Sequence, residues 1–130
     1  MKKTVANILF YSLVGLLVFI ILSQVGLLPF RFVYLFSGSM RPAYQPGDLA
    51  VVYEPQELTV EPGDVVLFNA AIAPTIHRVV SIEEGLITTK GDANDQSDAE
   101  KISHVDGKVL FMIPKVGYVI DFIKNIFRFG

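Results

Sequence analysis

The sequence predicts a small, mainly β domain tied to a membrane by one N-terminal helix and ending in a short amphipathic helix. Three features carry that prediction. From Thr4 through Phe30 no residue bears a charge. Between residues 49 and 113, short runs rich in Val, Ile, Leu and Phe alternate with Gly and Pro punctuation. After Lys115 the apolar spacing changes to that of a helix. A chain of 130 residues has room for one domain beside the helix. The expected division is an anchor segment, 1–30, and a β-domain, 31–130, that includes the final helix, 115–130.

Crossing a bilayer takes roughly 20 apolar residues, so the uncharged run can span with some tilt. A cleaved signal peptide also begins with lysines, but its apolar core runs to about 7–15 residues and ends at a small-x-small site. Here the run is longer and no Ala-x-Ala-like triplet follows it, which favours a retained anchor. Lys2, Lys3 and the α-amine precede the run, and Arg31 and Arg41 follow it. Positive-inside counting therefore leans toward a cytoplasmic N-terminus, with Arg31 onward on the far side.

Residues 31–36 either continue the helix or leave the membrane as a strand. Next comes Ser37-Gly38-Ser39-Met40-Arg41-Pro42, with two hydroxyls and a glycine directly after a long apolar segment. That suits an exposed serine oxygen with backbone close to a ligand, and equally a hydrophilic turn leaving a membrane helix. Strands are expected at 49–53, 65–69, 77–82, 86–90 and 108–113, with Glu84-Gly85 as a tight hairpin turn. Pro46-Gly47-Asp48 and Pro62-Gly63-Asp64 each precede an apolar run. Pro sets φ, Gly accepts a positive φ and Asp bonds back to nearby amides, so both read as strand-launching turns. Two copies fall short of the three units a solenoid needs, and one turn used twice is the better reading. In 115–130, Val116, Val119, Ile120, Ile123, Ile126 and Phe127 recur at helical spacing between polar residues. Such a helix is too short to span. It lies at the membrane interface or packs its apolar face on the β-domain.

Composition removes several function classes. A net charge of −2 and a pI near 5.6 offer no basic footprint, so nucleic acid is not an expected partner. The chain has no cysteine, which excludes disulfides, thiolate metal sites and a cysteine nucleophile. Two distant histidines without a His-x-x-x-His spacing leave no metal constellation, and no Gly-rich phosphate loop is present. Neither a metal nor another cofactor is expected. The acidic loop around Asp92, Asp95 and Asp98 fails as a calcium loop, because the sixth and twelfth positions from Asp92 hold Ser97 and Ser103. By itself it reads as a solvated loop.

A serine nucleophile needs a base within hydrogen-bond reach and usually a third group to hold that base. His77 opens an apolar strand, a rigid mount for a base; His104 precedes a turn and looks like a surface residue. In chain order the motifs are the anchor, Ser37-Gly38-Ser39-Met40-Arg41-Pro42, Pro46-Gly47-Asp48, Ile76-His77-Arg78-Val79-Val80, and Lys90-Gly91-Asp92-Ala93-Asn94 with Asp98. Together they resemble a type I signal peptidase of the archaeal and endoplasmic-reticulum-like branch, peptidase family S26, over most of the chain. Bacterial-type members carry lysine where this chain has His77, so the resemblance implies Ser-His-Asp catalysis rather than a Ser-Lys dyad. It implies a signal-peptidase-like β-domain, with Ser39 as nucleophile, His77 as general base and Asp98 as its acidic partner. Asp92 matches a second acidic position that supports the site, and Ser37 matches a position lending its hydroxyl to the oxyanion hole. Many relatives have paired aspartates where this chain reads Ser97-Asp98, which leaves the division of labour between Asp92 and Asp98 open.

The implied activity is a membrane-bound serine endopeptidase that removes N-terminal signal peptides from exported preproteins. Its implied partners are those preproteins, membrane lipid and the protein translocation machinery. The implied location is the cell membrane, crossed once, with the catalytic domain extracytoplasmic. A self-cleaving repressor-type peptidase would share the β-fold, but needs a lysine base and a soluble DNA-binding domain. A non-catalytic membrane-anchored scaffold subunit is the rival of a different class; it predicts a lost nucleophile or base, whereas Ser39, His77 and both aspartates are present.

Overall fold

The computed structural model describes residues 1–128, so the last two positions of the predicted 115–130 segment lie outside the described residues. Helix α1 spans Lys2–Gln24. At 1.5 Å per residue its 23 residues reach about 35 Å, against a hydrocarbon core of about 30 Å. Its side chains up to Ile21 are exposed, so the helix has the length and the outward apolar surface to cross a membrane. Gly26 ends it: at φ 78° the chain turns left-handed, and the Gly26 and Leu27 amides donate to the Ser23 and Leu22 carbonyls. The uncharged run thus outlasts the helix.

Of residues 31–36, the first four belong to a strand and the last two lead into the loop beyond it. β1 covers Phe30–Tyr34, and α1 docks on it through three contacts. The Ser23 hydroxyl donates to the Phe30 carbonyl, Gln24 Nε2 donates to the Phe32 carbonyl at 3.3 Å, and the Phe19 and Phe32 rings meet edge-on. The remaining strands are β2 (Leu49–Tyr53), β3 (Val65–Asn69), β4 (Pro74–Glu83), β5 (Leu86–Lys90) and β6 (Gly107–Ile113). β2, β3 and β5 fall where the sequence predicts; β4 extends further at both ends and β6 begins one residue earlier. The Glu84-Gly85 turn has positive φ at both positions, as a two-residue hairpin with right-handed strand twist requires.

All six strands form one antiparallel sheet in the order β1-β2-β6-β3-β4-β5. β6 is last in sequence yet lies between β2 and β3. Its first residue must be glycine: a Cβ on Gly107 would sit 2.6 Å from Val52 Cγ1 and 2.8 Å from the Tyr53 carbonyl. β3 explains its own uninterrupted apolar run. Val65 and Leu67 point into one core with Met40, Val52 and Ile76, while Val66 and Phe68 point into another with Val79, Ile87 and Val105.

The two Pro-Gly-Asp turns match bond for bond. Gly47 and Gly63 have φ of 95° and 96°. Asp48 Oδ2 accepts from the Gln45 amide at 2.9 Å, and Asp64 Oδ2 from the Glu61 amide at 2.8 Å. Helix α2 spans Val116–Phe127 and touches the sheet at its start, where the Gly117 amide donates to the Gly47 carbonyl at 2.8 Å. Beyond that, Tyr118, Val119, Phe122, Ile123, Ile126 and Phe127 are exposed, so the apolar face does not pack on the β-domain.

Candidate active site

Ser39 lies in the connection between β1 and β2. The ends of that connection are closed by Leu35 and Asp48: the Leu35 amide donates to the Asp48 carbonyl, and the Gly47 amide to the Leu35 carbonyl. Met40, 1% exposed, plugs the first core and pins the loop from its middle. With its neighbour fixed inward, Ser39 is left half-buried at the surface. A second segment holds it from across the molecule. The Ala93 amide donates to the Ser39 carbonyl at 2.8 Å. Gly91 permits that approach, since a Cβ there would stand 2.6 Å from the Ser39 carbonyl oxygen and 3.1 Å from His77 Nε2.

His77 sits on β4 opposite Val66, on the face of the second core, with the Phe68 ring edge-on at 6.2 Å. The imidazole is nearly enclosed and touches polar groups at both nitrogens. Nδ1 is 2.6 Å from Asp98 Oδ2, and Nε2 is 3.2 Å from Ser39 Oγ. A carboxylate can only accept, so Nδ1 carries the proton and Nε2 accepts from the Ser39 hydroxyl. Ser37 Oγ lies 3.2 Å from Ser39 Oγ; with the Ser39 proton directed at His77, Ser37 is the donor of that pair. The Ser39 amide has no protein acceptor among the described residues.

The two aspartates of the acidic loop separate cleanly. Asp98 Oδ2 receives both His77 Nδ1 and the Thr89 hydroxyl, the latter at 2.6 Å. Asp92 turns to Arg78 instead, accepting from Nε at 2.9 Å and from Nη2 at 2.8 Å, a two-pronged pair that ties the loop to β4. Hydrogen bonding to Arg78 holds the Asp92 carboxyl below the usual carboxylate range, against the opposing pull of burial. The same bond raises Arg78. His104 is 82% exposed and 3.6 Å from Asp106, far from this constellation in character. No cluster of three His, Cys, Asp or Glu side chains that could hold a metal exists among the described residues.

Ser39 and His77 face a cleft of about 460 Å³ whose walls include Val33, Phe36, Ile76 and Asn94. The mouth supplies a nucleophile oxygen, a base in contact with it, a carboxylate behind the base and a free amide at the serine. That set is suited to acyl transfer. The sequence motifs leave Thr89 out, and they mark Arg78 and Gly91 as members without a role. Thr89 was findable: in 86–90 it shares the inward face with Ile87, and a buried hydroxyl needs an acceptor. The contact of Gly91 with Ser39 joins residues far apart in the chain and leaves no local trace.

No protein-family model matches the chain. Among proteins of described function it is similar to the signal peptidase complex catalytic subunit SEC11 of Lodderomyces elongisporus, 34% identical over 84% of this chain and 76% of that one. SEC11 of Yarrowia lipolytica is 33% identical over 75% and 67%, and sec11 of Penicillium rubens 31% over 91% and 78%.

Proposed function

The chain belongs to the signal peptidase family, and from the geometry of its site we propose that Ser39, His77 and Asp98 work as a Ser-His-Asp triad cutting signal peptides from exported preproteins. The protein is a membrane-bound peptidase of signal-peptide processing. The observation that carries the triad is the unbroken hydrogen-bonded line from Ser39 Oγ through both ring nitrogens of His77 to Asp98.

The chemistry follows from that line. His77 Nε2 takes the Ser39 proton as Oγ attacks the scissile carbonyl, and Asp98 stabilises the imidazolium that forms. The negative oxygen of the tetrahedral intermediate meets the Ser39 amide, with the Ser37 hydroxyl as a second donor. One such donor is worth about 2.7–4 kcal/mol of transition-state stabilisation. His77 then protonates the leaving amine, and water clears the acyl-enzyme by the same steps in reverse. Asp92 supports the site through Arg78 rather than through the base. The anchor crosses the cell membrane once with its N-terminus cytoplasmic, so the cleft meets preproteins delivered by the translocation machinery on the far side.

The test is cleavage of a reporter preprotein by the purified chain in lipid. A single cut after a small residue, lost in Ser39→Ala with unchanged membrane insertion, is expected. Cleavage surviving in Ser39→Ala would remove the nucleophile assignment, and no cleavage by the intact chain would leave the reading without its activity.

A further inference from the structure

We propose that Thr89 is a positioning residue for this reaction, its hydroxyl locking the Asp98 carboxylate onto His77 Nδ1. The proposal rests on the triad reading above.

Asp98 needs such a lock. It belongs to the loop after β5 rather than to a strand, its side chain is 25% exposed, and a carboxylate turns about its last bond with little resistance. Left alone it would exchange the imidazole for water. Thr89 holds it at two points. The Asp98 amide donates to the Thr89 carbonyl at 2.8 Å, and Thr89 Oγ1 donates to Asp98 Oδ2 at 2.6 Å. The second bond lands on the same oxygen that His77 uses, so it selects the rotamer that points at the base.

Thr89 is fitted to hold that position. It is 0% exposed, and its branched β-carbon restricts χ1. It pairs with Val79, two residues beyond His77 on the adjoining strand. Base and hydroxyl are therefore placed by one hydrogen-bonded pair of strands, and only the carboxylate comes from a loop. If Thr89 merely satisfied its own buried hydroxyl, substitution would lower stability and leave turnover alone.

The experiment compares Thr89→Val, Thr89→Ser and Asp98→Asn in the full-length chain, reading kcat and KM on a preprotein, thermal unfolding, and the downfield His77 Nδ1–H proton resonance. Losing a hydrogen bond to a charged group lowers kcat in Thr89→Val by roughly tenfold to a hundredfold, at nearly unchanged KM, and the resonance shifts or broadens. Thr89→Ser restores both. In an Asp98→Asn background, Thr89→Val adds less than about twofold, because both changes act through one carboxylate. Wild-type kcat in Thr89→Val, alongside a loss in Asp98→Asn, overturns this proposal and spares the triad. So does equal damage from Ser and Val. Unchanged kcat in Asp98→Asn overturns the triad and this proposal with it. If Thr89→Val does not fold, the smaller Thr89→Ala takes its place under the same expectations.

Discussion

His77 and His104 are the only histidines, and their surroundings set opposite expectations. His77→Ala removes the base in contact with Ser39 and should lower kcat by at least about 10³, whereas His104→Ala, fully wetted, should stay within twofold. Initial rates on a preprotein distinguish them, and the reverse result would move the base to His104. The aspartates differ in kind. Asp98→Asn should cut kcat by up to about 10⁴, because an amide at Nδ1 favours the wrong tautomer. Asp92→Asn should cost less than about tenfold in kcat and about 1 kcal/mol in stability. The sign of its pH dependence follows from the lowered Asp92 carboxyl: the Arg78 bond stabilises the fold above the unfolded-chain value near 3.9 and is lost as pH falls through the lower folded value. The Tm gap between wild type and Asp92→Asn should hold at neutral pH, narrow below about pH 4, and close only once Asp92 protonates in the folded chain. The resemblance pointed to Asp98 as the partner of His77, but the residues of the acidic loop by themselves left the division of labour with Asp92 open. Six residues of loop can aim a side chain anywhere, and the direction is decided by Arg78 and Thr89 on neighbouring strands.

Among the elements, β5 and the loop that follows it organise the site. Gly91→Ala would drive a methyl carbon into the Ser39 carbonyl and against His77 Nε2. The Ser39–His77 spacing should open, lowering kcat by about 10², since displacement of about an ångström at reacting atoms costs that much, and Tm should fall as the loop is pushed off the Ser39 backbone. A wild-type rate would show that the loop yields freely. Strands were legible wherever the inward run was short and bounded by Gly or Pro, as at β2, β3 and β5. β4 was underread at its start because Pro74 and Thr75 look like loop, yet they pair with Asn69 and Phe68 at a sheet end where proline's missing donor is tolerated. The C-terminal helix was legible from its period, but not its undocked position. A periodic apolar stripe says that a face seeks cover, and nothing in the stripe distinguishes protein from lipid.

At the scale of the molecule, α1 meets the sheet chiefly along β1 among the described residues, so the anchor contributes placement rather than core. Deleting residues 1–24 should leave cleavage of a short soluble peptide within about threefold of wild type. Cleavage of a preprotein inserted in vesicles should fall by about 10², the order by which tethering raises effective concentration. Equal losses on both substrates would make α1 part of the catalytic fold. The fold class was legible from composition shifts along the chain; the strand order was not, because pairing β6 between β2 and β3 depends on contacts across about forty residues or more. That insertion has a temporal consequence. The sheet half carrying the serine loop and the half carrying His77 and Thr89 share no strand pairing until β6 enters between them. During synthesis the nucleophile is made first and its base later, and the strand that unites them comes after both. In a chain made from its N-terminus, the sheet that sets Ser39 against His77 is therefore complete only once β6 has been made.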